Sequence, residues 1–206
     1  MLDHVARPRT FDEALVARRA REAFHDHGYT ATSVEQLTAA TGLRRSSLYG
    51  AFGDKHGLFL SAFGQYCDEE MAAVRDQLAG ADDEAYERLG RHLRSKTADP
   101  AASRRGCLLA KATAELADQD PDVARISAAA YDTYEQALTG CFRAAQTAGD
   151  ARGDLDPQEG GALLLTVLRG IEALGRAGRS EPALRAIAET AITVLAADHP
   201  KPEECP

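Results

Sequence analysis

The 24 residues from Thr32 to Lys55 constrain this chain more than any other stretch. They read T-S-V-E-Q-L-T-A-A-T-G-L-R-R-S-S-L-Y-G-A-F-G-D-K. Ser33 can cap a helix start, and Gln36, three residues on, completes a capping box. Val34, Leu37 and Ala40 then recur at helical spacing and predict one apolar face. Gly42 falls where that helix must stop, because glycine tolerates the left-handed backbone that ends helices. Leu43 is expected to plug the core between two crossed helices. A second short helix follows over about 44–51, with Leu48 and Phe52 inward and Arg44, Arg45, Ser46, Ser47 and Tyr49 outward. Two helices joined by a short glycine turn, the second bearing cations and hydroxyls, match the geometry that enters a DNA major groove. A small helical hairpin with a solvated basic face would share the charge cluster alone. The turn glycine, the paired arginines and Tyr-x-x-Phe-x-x-Lys favour DNA.

Phe24, Gly28, Tyr29, Thr32, Ser33, Leu37, Ala40, Gly42, Leu48, Tyr49, Phe52, Lys55 and Leu58 together resemble the amino-terminal signature of TetR-family transcriptional regulators. The resemblance covers about the first quarter of the chain. Beyond it only a helical pattern is shared. It implies a one-component, ligand-responsive repressor acting as a homodimer on double-stranded operator DNA. It also implies that Thr32 and Ser33 touch backbone phosphate, where a helix start offers free amides. Lys55 sits in the first turn of a long helix, against the helix dipole, and the resemblance assigns it to a phosphate. Arg44 and Arg45 can reach guanine edges or phosphates, and Ser46, Ser47 and Tyr49 suit phosphate positioning. Gly50 and Ala51 depart from the family, where larger side chains are common. Base reading then leans on the arginines, a thymine-methyl contact of Ala51, or DNA shape.

Charge is placed unevenly. The chain of 206 residues carries a net charge of -8, yet residues 1–56 hold 8 basic against 7 acidic side chains, and the other 150 residues hold 16 against 25. A near-neutral head on an acidic body fits docking on DNA at one end. Arg7-Pro8-Arg9 reads either as a charged, disordered terminus or as an arm that reaches a minor groove or phosphate.

The remaining chain predicts helices only, about nine in all. Thr10 with Glu13 opens the first, over 11–27, with Phe11, Ala14, Leu15, Ala20, Ala23 and Phe24 as its apolar side. Asp54 caps a long helix over 55–79, which links head and body as a lever. Further helices are expected over 83–97, then to about 118 after a break at Asp99-Pro100, then 121–148, 157–177 and 181–197. Asp120-Pro121 and Asp156-Pro157 are strong start signals. Ser180 is expected to cap the last helix, and the tail from His199 to fray. The fold class is thus all-α, with a three-helix DNA-binding head in 1–56, a helical effector-binding and dimerisation domain in 57–198, and a tail over 199–206. The final two helices are more apolar than one core-facing stripe needs. Either they are buried twice within one subunit, or they pair with a twofold mate. The second is favoured, since two heads must read two half-sites.

No enzyme, metal site or cofactor is expected. The chain lacks a phosphate-binding glycine loop, H-E-x-x-H and G-x-S-x-G. Cys67, Cys107, Cys141 and Cys205 are widely spaced, without C-x-x-C. The six histidines read as mostly surface residues, and Glu115, Asp118, Asp120 and Asp122 as caps and a solvated face. No apolar run is long enough for a membrane span and the amino terminus has no signal-peptide core, so a cytoplasmic location is expected. The resemblance implies a small-molecule pocket between the long helix and the helices at 102–118, 121–148 and 157–177. Its candidate lining residues are Phe63, Cys67, Met71, Cys107, Tyr131, Tyr134, Leu164, Leu168 and Glu172, each of which also reads as plain core. Cys107 follows Arg104-Arg105-Gly106 near a helix start, where positive charge would favour its thiolate. Two alternatives therefore stay open: a thiol or electrophile sensor acting through Cys107, and a ligand sensor whose output is a protein partner.

Overall fold

A computed structural model describes residues 11–197. Arg7 and Arg9, the expected cap Thr10, Cys205 and the tail from His199 lie outside the described residues. Among the described residues there are ten α-helices, one 3-10 turn and no strand beyond an isolated antiparallel bridge between Ala151 and Ala196.

The head follows from its caps. Helix α1 (Glu13–His27) starts at Asp12, whose Oδ1 accepts the amides of Ala14 at 2.9 Å and Leu15 at 3.4 Å. It buries Val16, Ala17, Ala20 and Phe24, whereas Leu15, expected on the apolar side, is 43% exposed. Helix α2 (Val34–Thr41) has the expected capping box: Gln36 donates to Ser33 Oγ at 3.2 Å, and the Ser33 amide donates to Gln36 Oε1 at 2.7 Å. It ends at Gly42, whose φ of 72° is left-handed. Its inner face is Leu37 and Thr41, not Leu37 and Ala40. Thr41 can be buried because its hydroxyl donates back to the Leu37 carbonyl at 2.7 Å, which satisfies the polar group.

Helix α3 (Arg45–Phe52) is anchored by Leu48, which is buried. Helix α4 (Lys55–Leu78) begins at Asp54, whose Oδ1 accepts the Gly57 amide at 2.8 Å. The α3–α4 corner is so tight that a Cβ at Gly57 would lie 2.0 Å from the Phe52 carbonyl oxygen. Along α4, Leu58, Phe59, Ala62, Phe63, Tyr66, Cys67, Met71, Val74 and Leu78 form one buried face. Phe59 meets Phe24 edge-on at 5.1 Å and stacks on Phe63 at 5.6 Å, both favourable ring geometries.

The body continues with the 3-10 turn Asp82–Glu84, α5 (Ala85–Ser95), α6 (Pro100–Arg105), α7 (Leu108–Leu116), α8 (Pro121–Ala148), α9 (Pro157–Arg176) and α10 (Glu181–Leu195). The predicted break at Asp99-Pro100 is instead a helix start, in which Asp99 Oδ1 accepts the Ala101 amide at 2.8 Å. Asp120 and Asp156 cap α8 and α9 as expected, but Ser180 makes no side-chain cap bond to α10. Helices α8 and α9 form the centre, with α4, α5 and α7 packed on α8, and α10 on α9 and α5. The α8–α9 seam is close enough that a Cβ at Gly160 would meet the Phe142 ring at 2.5 Å, and one at Gly161 the Thr139 backbone nitrogen at 2.9 Å. One continuous apolar core runs from Val16 in α1 to Leu195 in α10.

Not every histidine is a surface residue. His92 is 3% exposed, and Arg88, also buried, donates to the carbonyls of Leu78 and Ala81.

Candidate functional site

On α3 the sequence leaves an outward polar row. Leu48 points into the core, and the helical repeat then turns Arg44, Arg45 and Ser46 to the exposed side, with Ser47 and Tyr49 half-buried at its edge. Arg44 is the N-cap residue and supplies no side-chain cap, and the first turn of α3 carries no acidic residue. An uncapped helix start flanked by guanidinium groups is a favourable place for an anion. The Arg45 guanidinium lies 5.2 Å from the Tyr49 ring centroid, which steadies the side chain without neutralising it. A Cβ at Gly50 would meet nothing within 4 Å, so the face beside the arginines is open.

Two phosphate candidates are placed differently from expectation. Thr32 is 1% exposed, and its hydroxyl donates to the carbonyls of Gly28 at 2.5 Å and Ala23 at 3.3 Å. Its side chain closes the end of α1 instead of facing outward. Ser33 is exposed, though its oxygen already accepts from Gln36. The Lys55 ammonium lies 4.5 Å from the Tyr29 ring centroid and 3.4 Å from the Thr30 carbonyl. Burial pushes it below the usual lysine range, and Glu115 opposes that only in part. The Lys55 ammonium is therefore held by contacts within the protein that offset its burial only in part.

Polar contacts bolt the head to the body, and sequence reasoning missed them. Glu115 on α7 accepts the amides of Tyr29 at 3.0 Å and Thr30 at 2.7 Å. Asp120, the cap of α8, meets His56 Nε2 at 2.5 Å. Two members of the acidic cluster read as a solvated face are thus head–body contacts. Arg105 pairs with Glu22 at 2.7 Å and Asp26 at 2.8 Å. Lys111 donates to the His25 carbonyl at 2.6 Å, and His25 Nε2 lies 2.7 Å from the Gly106 carbonyl. These pairs are separated by 64 to 86 residues, so no local pattern could announce them.

Beneath the head, between α4, α5, α7, α8 and α9, lies a cavity of about 290 Å³. Cys67, Met71, Cys107, Tyr134 and Glu172 line it, as expected. Phe63, Leu164 and Leu168 do not: each is fully buried in the core. Tyr131 stands behind the wall, its ring 5.8 Å from the Arg169 guanidinium. Unforeseen lining residues include His25, Tyr66, Glu70, Lys96, Leu109 and Arg169. A second cavity of about 570 Å³ lies toward the α1–α2 turn, and Gly106, Cys107, Arg169 and Glu172 line both.

Arg169 is the electrostatic centre of this wall. Its Nη2 donates to Glu172 Oε1 at 2.9 Å, its Nη1 lies 3.6 Å from Cys107 Sγ, and its guanidinium sits 5.2 Å from the Tyr134 ring centroid. Burial pushes the Glu172 carboxyl above the usual carboxylate range, although Arg169 and Lys96 pull it back. Burial pushes the Cys67 thiol up to about 12, which keeps it protonated. Cys107 is half-buried, with Tyr66 Oη at 3.5 Å. The arginine beside it is Arg169; Arg105, two residues away in sequence, is held by Glu22 and Asp26. Behind the cavity, His92 Nδ1 meets Gln77 Oε1 at 2.9 Å and His92 Nε2 meets the Tyr134 hydroxyl at 2.6 Å. Burial pushes His92 down to about 3. It is therefore a neutral ring, donating to Gln77 and accepting from Tyr134. Among the described residues no group of three or more His, Cys, Asp or Glu could hold a metal ion, and no helix is long and apolar enough to cross a membrane.

Comparison with known proteins agrees with this arrangement. The family model for bacterial regulatory proteins of the tetR family matches residues 17–62, and that for the tetracyclin repressor-like C-terminal domain matches residues 88–192. The chain is 26% identical over 191 residues to the HTH-type transcriptional repressor ComR of Escherichia coli (strain K12), covering 90% of each protein. It is 35% identical over 123 residues to YezE of Bacillus subtilis (strain 168), described as an HTH-type transcriptional regulator, and covers 59% of this chain and 63% of that one. Among solved structures, a cysteine mutant of the TetR family regulator CifR, complexed with 26-bp double-strand operator DNA, has 29% identity and a TM-score of 0.75, covering 92% of this chain and 99% of that one. The reduced form of Escherichia coli NemR, with a TM-score of 0.80 at 13% identity over 92% of this chain and 98% of that one, shares the fold. With both its helix-turn-helix and most of its body matched, the chain belongs to the TetR family of DNA-binding transcriptional regulators.

Proposed function

We propose that this protein is a homodimeric, cytoplasmic repressor that leaves its operator when a small molecule occupies the cavity beneath the head. The outward row on α3 carries the reading. Arg44 and Arg45, exposed beside an uncapped helix start, offer two guanidinium groups to guanine edges or phosphates. Ser46, Ser47 and Tyr49 position the backbone. Residues 1–56 form the reading head and 57–198 the effector-binding and dimerising body. ComR's description as a repressor and CifR's capture on operator DNA support the same role here.

Dimerisation is assigned to α9 and α10, which carry exposed apolar residues: Leu163 is 44% exposed and Val194 54%. Two copies of α3 then meet successive major grooves. Effector binding weakens DNA affinity to the extent that it favours a head spacing the operator does not fit.

The test is binding of the full chain to DNA from upstream of its own gene, titrated with salt, and to a random-sequence pool. Sequence-selective binding with a steep salt dependence is expected. Arg44→Ala or Arg45→Ala should cost about 1–3 kcal/mol if the residue reads a base, with relaxed selectivity at that base. A uniform loss across sequences would assign it to phosphate. Failure to select any sequence from the pool would sink the repressor reading.

A further inference from the structure

From Ser33 to Gly53, the stretch that forms α2, the turn and α3, the chain holds one carboxylate, Glu35. It lies in the first turn of α2 and is exposed. Its carboxyl sits below the usual carboxylate range: its own amide and the Ser33 hydroxyl hold it there, and the Arg45 charge adds to them. A carboxylate at a helix start is favourable for the helix. On a surface that must approach a polyanion it is a liability, since it repels the phosphates of every sequence alike. That conflict asks for a role beyond the helix end.

The two arginines at the start of α3 are not equivalent. Arg45 is held from two sides. Its guanidinium lies 5.2 Å from the ring centroid of Tyr49, one turn on, and the Glu35 carboxylate attracts it from α2. Arg44, the N-cap residue, has neither hold. Among the described residues of the head it is the one Lys or Arg side chain without an ion pair, hydrogen bond or ring contact. Arg18 and Arg21 pair with Glu69, Arg19 donates to the Thr41 carbonyl, and Lys55 donates to that of Thr30. A guanidinium fork that is already oriented loses little freedom on taking a guanine edge. A free one with its charge undiminished suits a phosphate.

We propose that Glu35 is a specificity-determining residue of the head: it keeps the Arg45 guanidinium from phosphates and yields it to a guanine edge, while Arg44 supplies the phosphate contact. The assignment rests on α3 entering the major groove, as in the reading above. Guanine O6 and N7 are uncharged acceptors that satisfy the fork without bringing a phosphate against Glu35. On other sequences Arg45 can gain only a phosphate, and the nearby carboxylate weakens that gain. Glu35 therefore lowers affinity for every sequence, and lowers it least where guanine stands opposite Arg45. Selectivity is a difference of affinities, so it rises.

The test uses the full-length protein, a duplex it selects from a random-sequence pool, and a shuffled duplex of the same length and composition. Affinities are read by fluorescence anisotropy over a range of salt. Glu35→Gln keeps the shape and removes the charge. It should bind the shuffled duplex about threefold or more tightly, with a steeper salt slope, and the selected-to-shuffled ratio should fall. Arg45→Ala should cut that ratio by about tenfold. Arg44→Ala should weaken both duplexes alike and reduce the salt slope by about one per bound head. In the Arg45→Ala background, Glu35→Gln should no longer change the ratio. Glu35→Ala gives the same readings should Glu35→Gln fail to fold. A ratio unchanged in Glu35→Gln, with or without lower thermal stability, makes the residue a helix-end carboxylate only and overturns the proposal while leaving the repressor reading standing. A ratio that still falls in the Arg45→Ala background overturns it too, as does an exchange of the Arg44→Ala and Arg45→Ala effects. If the unmodified protein selects no sequence from the pool, the repressor reading falls and the role of Glu35 with it.

Discussion

The Glu115 carboxylate accepts the main-chain amide of Thr30 at 2.7 Å, joining α7 of the body to the α1–α2 turn of the head. Burial pushes the carboxyl up, but the bonds from Thr30 and Tyr29 outweigh it and hold the group below the usual carboxylate range. Glu115→Ala removes both bonds. The contact is partly exposed, so a loss of about 1 kcal/mol in urea unfolding is expected. Operator affinity should be largely kept, because α3 is untouched. The effector concentration needed for release should rise severalfold, read by fluorescence anisotropy of labelled operator. An unchanged release curve would show that the head is steered by α4 alone.

Gly57→Ala should disturb DNA binding from the protein's inner side. The new methyl would fall 2.0 Å from the Phe52 carbonyl oxygen, which is backbone and cannot swing aside. Overpacking of this kind costs about 1–3 kcal/mol, and here the yielding part is the end of α3. Lower thermal stability together with weaker operator binding is expected. A variant as stable as the parent and with full affinity would refute the tight corner.

His92 makes stability fall in acid. Its folded value is about 3 against an ordinary 6.5, so above pH 6.5 both states are neutral and nothing is lost. Below it the unfolded chain takes up a proton that the folded protein excludes. Stability then declines by up to about 1.4 kcal/mol per pH unit until the folded value is reached. His25, also pushed down by burial, acts in the same direction. Urea unfolding at about pH 7.5 and about pH 5.5 should show a smaller difference for His92→Gln than for the parent. Equal differences would place the acid sensitivity elsewhere.

Gly170→Arg tests the dimer. Leu163, Thr166, Gly170 and Ala173 form an exposed row on α9, and a Cβ at Gly170 meets nothing within 4 Å. A single chain should therefore tolerate the substitution, and helix propensity even favours it. Sedimentation equilibrium should show monomers, with operator binding weakened in step. A dimer of unchanged affinity would move the interface off α9.

The head was legible because its signals are local. The Ser33–Gln36 capping box, the left-handed Gly42 and the inward Leu48 each act within a few residues. The same holds for Asp120-Pro121 and Asp156-Pro157. Asp99-Pro100 has the same form, yet it heads a helix of six residues with too little apolar repeat to distinguish it from a break. The burial of Thr32 and of Thr41 was not legible for a common reason: a threonine hydroxyl that bonds a carbonyl in its own segment can be buried, and composition does not reveal it. Arg169 was overlooked because an arginine among leucines reads as a solvated residue until tertiary packing sets it beside Tyr134, Glu172 and Cys107. The cavity was only half legible for the same reason, since Leu164 and Leu168 share its helix but not its face.

The closeness of α8 and α9 at Gly160 and Gly161 sets the direction in which this body can swell. No methyl group fits between those helices, so the seam has no slack to give to a guest. Extra room must come from the opposite wall, where α6 and α7 are short and polar contacts tie them to the head. Those contacts (Arg105 to Glu22 and Asp26, Lys111 to His25, Glu115 to the α1–α2 turn) are the ones that hold the head. On the proposed reading, a molecule that outgrows the cavity therefore strains the attachment of the head simply by being accommodated, and ligand size becomes a determinant of potency.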